Sequence, residues 1–328
     1  MLNSTKMLYM WFNKMVLTIL IFSLMIVFSS STWFSMWIGL ELNTMSFIPL
    51  LLINNSLLSS ESSMKYFLIQ AMASNLMIFS SILLMSMNSN MFSFLMVLAM
   101  MMKMGVFPFY QWYLSIMNKI SWKNIFLIMT IQKFSPLYIL YNCLTKNYLM
   151  WIIIMINSLI SVILAFNNMS MKKIMACSSM NHMSWIMSSL VMNISLMMNY
   201  MLVYFIILST LIYLMNFYNI NSLNDMFLLN NSVISFIIMS LMGLPPLSGF
   251  IIKWYVIQYL LLNNLMVISL IMILSSLISM YFYLRLTWIS FMFFTSSPLF
   301  LVTKNFVTLK FIILIIPSTM MIPISFIL

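Results

Sequence analysis

Four ionisable side chains lie inside long apolar stretches and are the residues best placed to carry chemistry: Glu41, Lys103, Lys133 and Lys253. A charged side chain at the centre of a membrane helix costs on the order of 3 kcal/mol. Such residues usually face a protein interior or a hydrated cavity and serve ion or proton pathways. A snorkelling lysine or a static buried ion pair is the alternative, but four such residues in a chain with 5% charged residues favour the pathway.

Helix-breaking residues accompany two of these lysines. Lys253 follows the run Gly-Leu-Pro-Pro-Leu-Ser-Gly from Gly243 to Gly249, and Lys103 precedes a weaker version, Met-Gly-Val-Phe-Pro. Proline removes a backbone donor, and broken helices inside a membrane line hydrated cavities. The segments starting at Met104 and Met242 also echo each other, as MGVFPFYQWY and MGLPPLSGFIIKWY. This echo predicts discontinuous helices and an internal repeat of the kind found in transporters.

The other candidates lie in short polar motifs. Lys133 is followed one turn later by Pro136, and Glu41 lies in the run Trp-Ile-Gly-Leu-Glu-Leu-Asn-Thr that begins at Trp37. His182 titrates nearest neutrality and is a candidate proton relay. A hydrogen-bonded structural histidine is the equally weighted alternative for His182.

The composition predicts an all-α membrane protein with a single transmembrane domain over residues 1–328. Hydrophobic residues make up 64% of the chain, and its mean hydropathy is +1.10. Apolar runs of about twenty residues exclude a water-soluble fold and a membrane β-barrel. We read the segment 109–120 as an amphipathic helix in the membrane interface. The pattern predicts about eleven membrane helices, roughly at residues 10–28, 32–53, 64–87, 91–107, 124–144, 148–167, 173–194, 197–218, 232–258, 265–290 and 308–327.

The net charge of +11 is explained by loop residues that set orientation in the membrane, not by a nucleic-acid surface. On the predicted topology only Lys146 lies on the side opposite the N-terminus. Cys143 and Cys177 sit in apolar runs and are expected to be small buried hydrophobes. The basic residues predicted on the N-terminal side are Lys6, Lys14, Lys65, Lys119, Lys123, Lys172, Lys173, Arg285, Lys304 and Lys310.

Five motifs in fixed order resemble the chain-2 family of mitochondrial NADH–ubiquinone oxidoreductase, respiratory complex I. In chain order they read WxGLELNT, KMGxxPFxxW, QKxxP, SSxxHMxW and GLPPLSGFxxKW, and the match covers essentially the whole chain. The resemblance implies an antiporter-like fold in the mitochondrial inner membrane, with the N-terminus in the matrix and the C-terminus in the intermembrane space. In the family, the residues matching Glu41, Lys103, Lys133 and Lys253 form the proton path within the membrane.

The resemblance also implies partners and cofactors. The expected partners are the lipid bilayer and other membrane-arm subunits of complex I, with neither nucleic acid nor a second copy of the chain. NADH, FMN, iron–sulfur clusters and ubiquinone are expected in partner subunits, with no metal or cofactor site here. In one position the chain departs from the family pattern, because Tyr110 stands where a histidine is common. A phenol with a pKa near 10 stores a proton poorly at neutral pH.

The expected mechanism follows from burial and charge. A carboxylate beside a buried lysine favours its charged form, whereas burial favours the neutral form. Lys103 is then expected to hold a proton next to Glu41, Lys133 to relay it and Lys253 to exchange it, with energy supplied by other subunits. A stand-alone Na⁺/H⁺ or K⁺/H⁺ antiporter and a passive membrane scaffold remain as alternatives.

Overall fold

The computed structural model describes the backbone of residues 2–53, 56–85, 89–143, 148–227, 232–245 and 247–292. Within these ranges the chain folds into α-helices, and the only extended pairing is an isolated bridge between Ser170 and Ser222. The prediction of an all-α protein is therefore confirmed. The predicted span 308–327 and the residues Lys146, Lys304 and Lys310 lie outside the described ranges.

The helices follow one another with short connections. Their bounds are α1 Leu2–Ser29, α2 Trp33–Leu52, α3 Leu57–Met85, α4 Ser89–Met104, α5 Gln111–Met117, α6 Trp122–Met129, α7 Ile131–Cys143, α8 Tyr148–Phe166, α9 Met171–Met192, α10 Ile194–Phe217, α11 Leu223–Phe227, α12 Ser232–Met242, α13 Ser248–Leu262 and α14 Met266–Met292.

Six helices in the described ranges are long and apolar enough to cross a membrane, namely α1, α2, α3, α8, α10 and α14. The helices α4, α12 and α13 are apolar but shorter. With 11 residues, α12 is about 16 Å long, roughly half the thickness of the hydrocarbon core. The structure thus divides some of the predicted spans between two helices, and the number of complete crossings stays a prediction.

The chain forms two compact units, residues 1–146 and 147–328. In the first unit, α7 packs against α1, α2, α4 and α6. The close packing of α1 on α2 depends on Gly39, because a methyl group there would lie 2.6 Å from Cγ2 of Val27. The centre of this unit is therefore built around the helix that carries Lys133.

The second unit is organised around α9, which is buried along nearly its whole length between Met171 and Leu190. It packs against α8, α10, α13 and α14. The buried hydroxyls of Ser178 and Ser179 donate to the carbonyls three residues earlier, at 2.8 Å. Because these serines are satisfied within the helix, a polar sequence can be buried there.

Two helices end on a glycine in the left-handed region. At the end of α4, Gly105 has φ +65°. Its N–H donates to the carbonyl of Met102, and the N–H of Val106 donates to that of Met101. These two bonds form a Schellman motif, which only glycine adopts without strain.

The end of α12 repeats this device. Gly243 has φ +83° and donates to the carbonyl of Ser240, while the N–H of Leu244 reaches that of Met239. The echo between the segments starting at Met104 and Met242 thus corresponds to the same local geometry. An inverted relation between the two repeats stays a prediction.

The break predicted at Gly243–Gly249 is confirmed, since α12 ends at Met242 and α13 begins at Ser248. After the break the chain passes extremely close to α12. A methyl group on Gly249 would lie 2.0 Å from the carbonyl oxygen of Ser240. The absence of a side chain at Gly249 is what allows α13 to start there.

The predicted elements differ from the structure in two further places. The stretch 124–144 is two helices, because Thr130 leaves the helical region with φ −118° and ψ −80°. The predicted interfacial helix is the 7-residue α5, whose residues Trp112, Tyr113, Ile116 and Met117 are buried in the first unit. The location of α5 at the membrane interface stays a prediction.

Gly249→Ala tests the close approach of α13 to Ser240. The added methyl must displace a backbone carbonyl, and overpacking of this kind costs about 1–3 kcal/mol. We expect a lower thermal unfolding midpoint for the detergent-solubilised protein. The control is Ile251→Ala in the same turn of α13, at a partly exposed position. A midpoint in Gly249→Ala no lower than in the control would contradict this reading.

Candidate functional site

Three of the four ionisable candidates lie in the first unit, on different helices. Glu41 is half-buried on α2. Lys103 is on the last turn of α4, with 5% of its surface exposed, and Lys133 is on α7, with 2% exposed. Since α7 packs against both α2 and α4, the unit brings the three helices together.

Glu41 acts on Lys103 through space. The two side chains interact electrostatically, yet among the described residues the ion pairs within 4.0 Å do not include this one. The Glu41 carboxylate instead accepts a hydrogen bond from Thr44 at 3.3 Å. The expected partnership is thus a charge interaction at longer range than a salt bridge.

Lys133 is a buried ammonium without a hydrogen-bond acceptor in the described part of the chain. Its Nζ lies 5.3 Å from the ring centroid of Tyr113. The helix is irregular on both sides, with the break at Thr130 before it and Pro136 inside α7 after it. Pro136 has no N–H to donate to the carbonyl of Gln132. That carbonyl therefore lacks the hydrogen bond that a regular helix would give it.

The polar neighbours of Glu41 and Lys133 form one hydrogen-bonded network. Asn43 donates to Ser135 at 3.2 Å and accepts from Gln132 at 3.0 Å. Tyr66 donates to Gln132 at 3.1 Å, and it also senses the charge of Glu41. The hydrogen bond between Asn43 and Gln132 thereby joins the motifs WxGLELNT and QKxxP directly. The sequence did not reveal this contact.

Lys103 is also tied to the network's surroundings. Gln70 on α3 donates to the backbone carbonyl of Lys103 at 3.1 Å. The ammonium itself has no hydrogen-bond acceptor in the described part of the chain. Within the described residues, this ammonium therefore interacts with the Glu41 charge at a distance and makes no fixed hydrogen bond.

Lys253 lies in the second unit, and its surroundings differ from those of Lys103 and Lys133. Its Nζ donates to the carbonyl of Met242 at 2.9 Å and reaches that of Leu241 at 3.4 Å. Both carbonyls belong to the broken end of α12, where the partial charge of a helix terminus is negative. Gly243 leaves room for this contact, since a methyl group there would lie 3.2 Å from the ammonium.

His182 faces a cavity beside this break. Its Nδ1 lies 2.9 Å from the hydroxyl of Tyr200, at hydrogen-bond distance. A small cavity of about 10 Å³ is lined by both side chains and by Ser240, Leu241 and Gly249 from the two sides of the break. His182 and Leu241, whose carbonyl Lys253 reaches, thus border the same cavity.

The remaining candidates have simpler settings. Cys143 and Cys177 are free and buried, as predicted. Tyr110 is half-buried immediately before α5. The described residues contain no cluster of three or more His, Cys, Asp or Glu side chains able to hold a metal.

One end of the first unit carries a charge cluster that the sequence did not reveal. Glu61 on α3 pairs with Lys65 at 2.6 Å and with Lys119, beyond α5, at 2.5 Å. Lys65 and Lys119 therefore lie at the same end of the unit, as the predicted topology requires.

The fold and these buried lysines define the class of protein. The sequence model of the family described as NADH:quinone oxidoreductase/Mrp antiporter, TM, matches residues 30–279. The chain therefore belongs to this family of membrane-embedded, multi-pass proteins.

Within this family, the chain is similar to NADH–ubiquinone oxidoreductase chain 2 of animals. That of Anopheles gambiae is 35% identical over 308 residues, covering 90% of each chain. That of Aedes aegypti is 39% identical over 290 residues, covering 84% of this chain and 85% of the relative. The resemblance predicted from the five motifs is confirmed.

Solved structures share the fold at lower identity. A chain of respiratory complex I from Thermus thermophilus with bound aureothin superposes with a TM-score of 0.79 at 16% identity, covering 85% of this chain and 70% of that one. A chain of the Mrp complex from Dietzia superposes with a TM-score of 0.74 at 14% identity, covering 83% and 59%. The antiporter-like fold is thereby confirmed.

A double-mutant cycle tests the charge interaction between Glu41 and Lys103. We expect Glu41→Gln and Lys103→Met to be non-additive in unfolding free energy by about 0.5–3 kcal/mol, since each removes the partner charge of the other. The control cycle combines Glu41→Gln with Lys123→Met at an exposed position on α6. Strict additivity in both cycles would show that Glu41 does not stabilise the charged form of Lys103.

Proposed function

We propose that this chain translocates protons across the mitochondrial inner membrane as a membrane-arm subunit of an NADH–ubiquinone oxidoreductase. The observation that carries the proposal is the pair of buried lysine ammonium groups, Lys103 and Lys133, without hydrogen-bond acceptors in the described part of the first unit. A buried ammonium carries a desolvation cost that release of its proton relieves. A static structural lysine would be expected to donate its N–H groups to nearby acceptors.

The residues of the first unit would load and release the proton. Glu41 favours the protonated form of Lys103 through space, and weakening of that interaction releases the proton. Lys133 is the proposed receiver, because its ammonium is buried without an acceptor in the described residues, and its neighbours on α7, Gln132 and Ser135, bond to Asn43 on α2.

In the second unit, Lys253 is the proposed exchange site. The carbonyls at the broken end of α12 hold its ammonium, and one of them belongs to Leu241, which also lines the small cavity beside the break. His182 and Tyr200 border that cavity and are proposed as a relay, since an imidazole and a phenol at 2.9 Å can pass a proton between them.

Redox chemistry belongs to partner subunits in this proposal. Oxidation of NADH and reduction of ubiquinone supply the energy there, through FMN and iron–sulfur clusters. This chain's own residues hold and move protons only. The matrix side is assigned to the end with Glu61, Lys65 and Lys119, because basic residues concentrate on the side from which membrane proteins insert. The C-terminus is then assigned to the intermembrane space.

Lys133→Met tests the proposal in the assembled complex reconstituted in vesicles. We expect normal assembly and a clearly lower ratio of protons pumped to NADH oxidised, because methionine fills the space without carrying a proton. The control is Lys123→Met on an exposed face of α6. An unchanged ratio in Lys133→Met would favour a passive scaffold, and cation-dependent proton exchange without NADH would favour an antiporter.

Two substitutions separate the structural and transfer roles of Lys253. Lys253→Gln keeps a donor for the carbonyls of Met242 and Leu241, so we expect near-normal thermal stability with loss of pumping. Lys253→Met leaves those carbonyls without a donor and should cost about 1–3 kcal/mol of stability as well. Normal pumping in Lys253→Gln would show that Lys253 only caps the helix.

A further inference from the structure

The ring of Tyr113 lies beside the Lys133 ammonium. Tyr113 is 1% exposed, and Nζ of Lys133 lies 5.3 Å from the ring centroid. A cation within about 6 Å of an aromatic face is attracted by the ring's quadrupole, most strongly where water is excluded. Because Lys133 has no hydrogen-bond acceptor in the described residues, this attraction weighs heavily for its charged form.

The position of Tyr113 is set by the end of α4. A methyl group on Gly105 would lie 2.7 Å from Cβ and 3.0 Å from Cγ of Tyr113. Gly105 closes the Schellman motif that ends α4, two residues after Lys103. The side chain of Tyr113 therefore rests directly on the backbone that carries Lys103, while its ring reaches the ammonium of Lys133.

We propose that Tyr113 is a positioning residue that couples the two lysines. The end of α4 holds the ring, and the ring stabilises the ammonium of Lys133. A shift of α4 that accompanies the loading of Lys103 moves the ring and changes how tightly Lys133 keeps its proton. This inference rests on the proposed function, since it assigns a partner to the relay lysine.

The size of the effect follows from the strength of the attraction. Loss of the ring should change the ratio of charged to neutral Lys133 by about 2- to 30-fold. Tyr113→Phe keeps the ring face, whereas Tyr113→Leu and Tyr113→Met remove it. Methionine is flexible and leaves a smaller void than leucine in the space of the tyrosine. Tyr113→Met therefore tests the effect on pumping with less loss of packing than Tyr113→Leu.

The experiment measures protons pumped per NADH oxidised by the intact complex in vesicles. We expect Tyr113→Phe to retain the wild-type ratio, and Tyr113→Leu and Tyr113→Met to lower it at least about twofold. Ile116→Ala, a buried change on the same helix, is the control for lost packing and should retain the ratio. Tyr113→Leu should have no further effect in the Lys133→Met background.

Three outcomes would overturn the proposal. Equal loss in Tyr113→Phe would assign the effect to the hydroxyl, and equal loss in Ile116→Ala would assign it to packing. A normal ratio in Tyr113→Leu and Tyr113→Met, with a lowered ratio in Lys133→Met, would remove the role of Tyr113 and leave the proposed function intact. By contrast, a normal ratio in Lys133→Met would reject the proposed function itself.

Discussion

A backbone carbonyl that loses its helical donor inside a bilayer finds no water to replace it, and this constraint governs the whole structure. At the end of α12, the carbonyls of Leu241 and Met242 find the ammonium of Lys253 instead. The ammonium stabilises the carbonyls that the break leaves without helical donors, and those carbonyls in turn stabilise the buried ammonium.

The two units solve the problem of a buried lysine in different ways. In the second unit, Lys253 donates to the carbonyls at the broken end of α12. In the first unit, Lys103 and Lys133 depend on a carboxylate at a distance and on an aromatic ring. The difference fits the proposed division between Lys103 and Lys133, which load and relay a proton, and Lys253, which exchanges it.

The sequence could predict what depends on local backbone chemistry. Gly243 and the prolines that follow it break a helix whatever surrounds them, so the break was predictable. The break at Thr130 was not, because threonine has no such fixed preference and tertiary packing decides its conformation. The cluster of Glu61 with Lys65 and Lys119 was missed in part because α3 begins at Leu57, earlier than the hydrophobic pattern suggested.

Long-range partners also escaped prediction. Asn43 bonds to Gln132 and Ser135, which are 89 and 92 residues further along the chain, and no local rule pairs them. The opposite charges of Glu41 and Lys103 suggested a pair, but their separation depends on how α2 and α4 pack around α7. Charge in a membrane sequence therefore identifies the residues of a pathway better than it identifies their contacts.

The polar character of α9 has a consequence for how the chain enters the membrane. Its serines satisfy themselves, yet α9 is not among the helices apolar enough to cross a bilayer by composition. Its neighbours α8 and α10 are strongly apolar and are joined to it by short connections. A helix of this kind gains too little from lipid to partition into it alone. We therefore expect α9 to depend on its packing against α8, α10, α13 and α14, rather than on contact with lipid, for its place in the membrane.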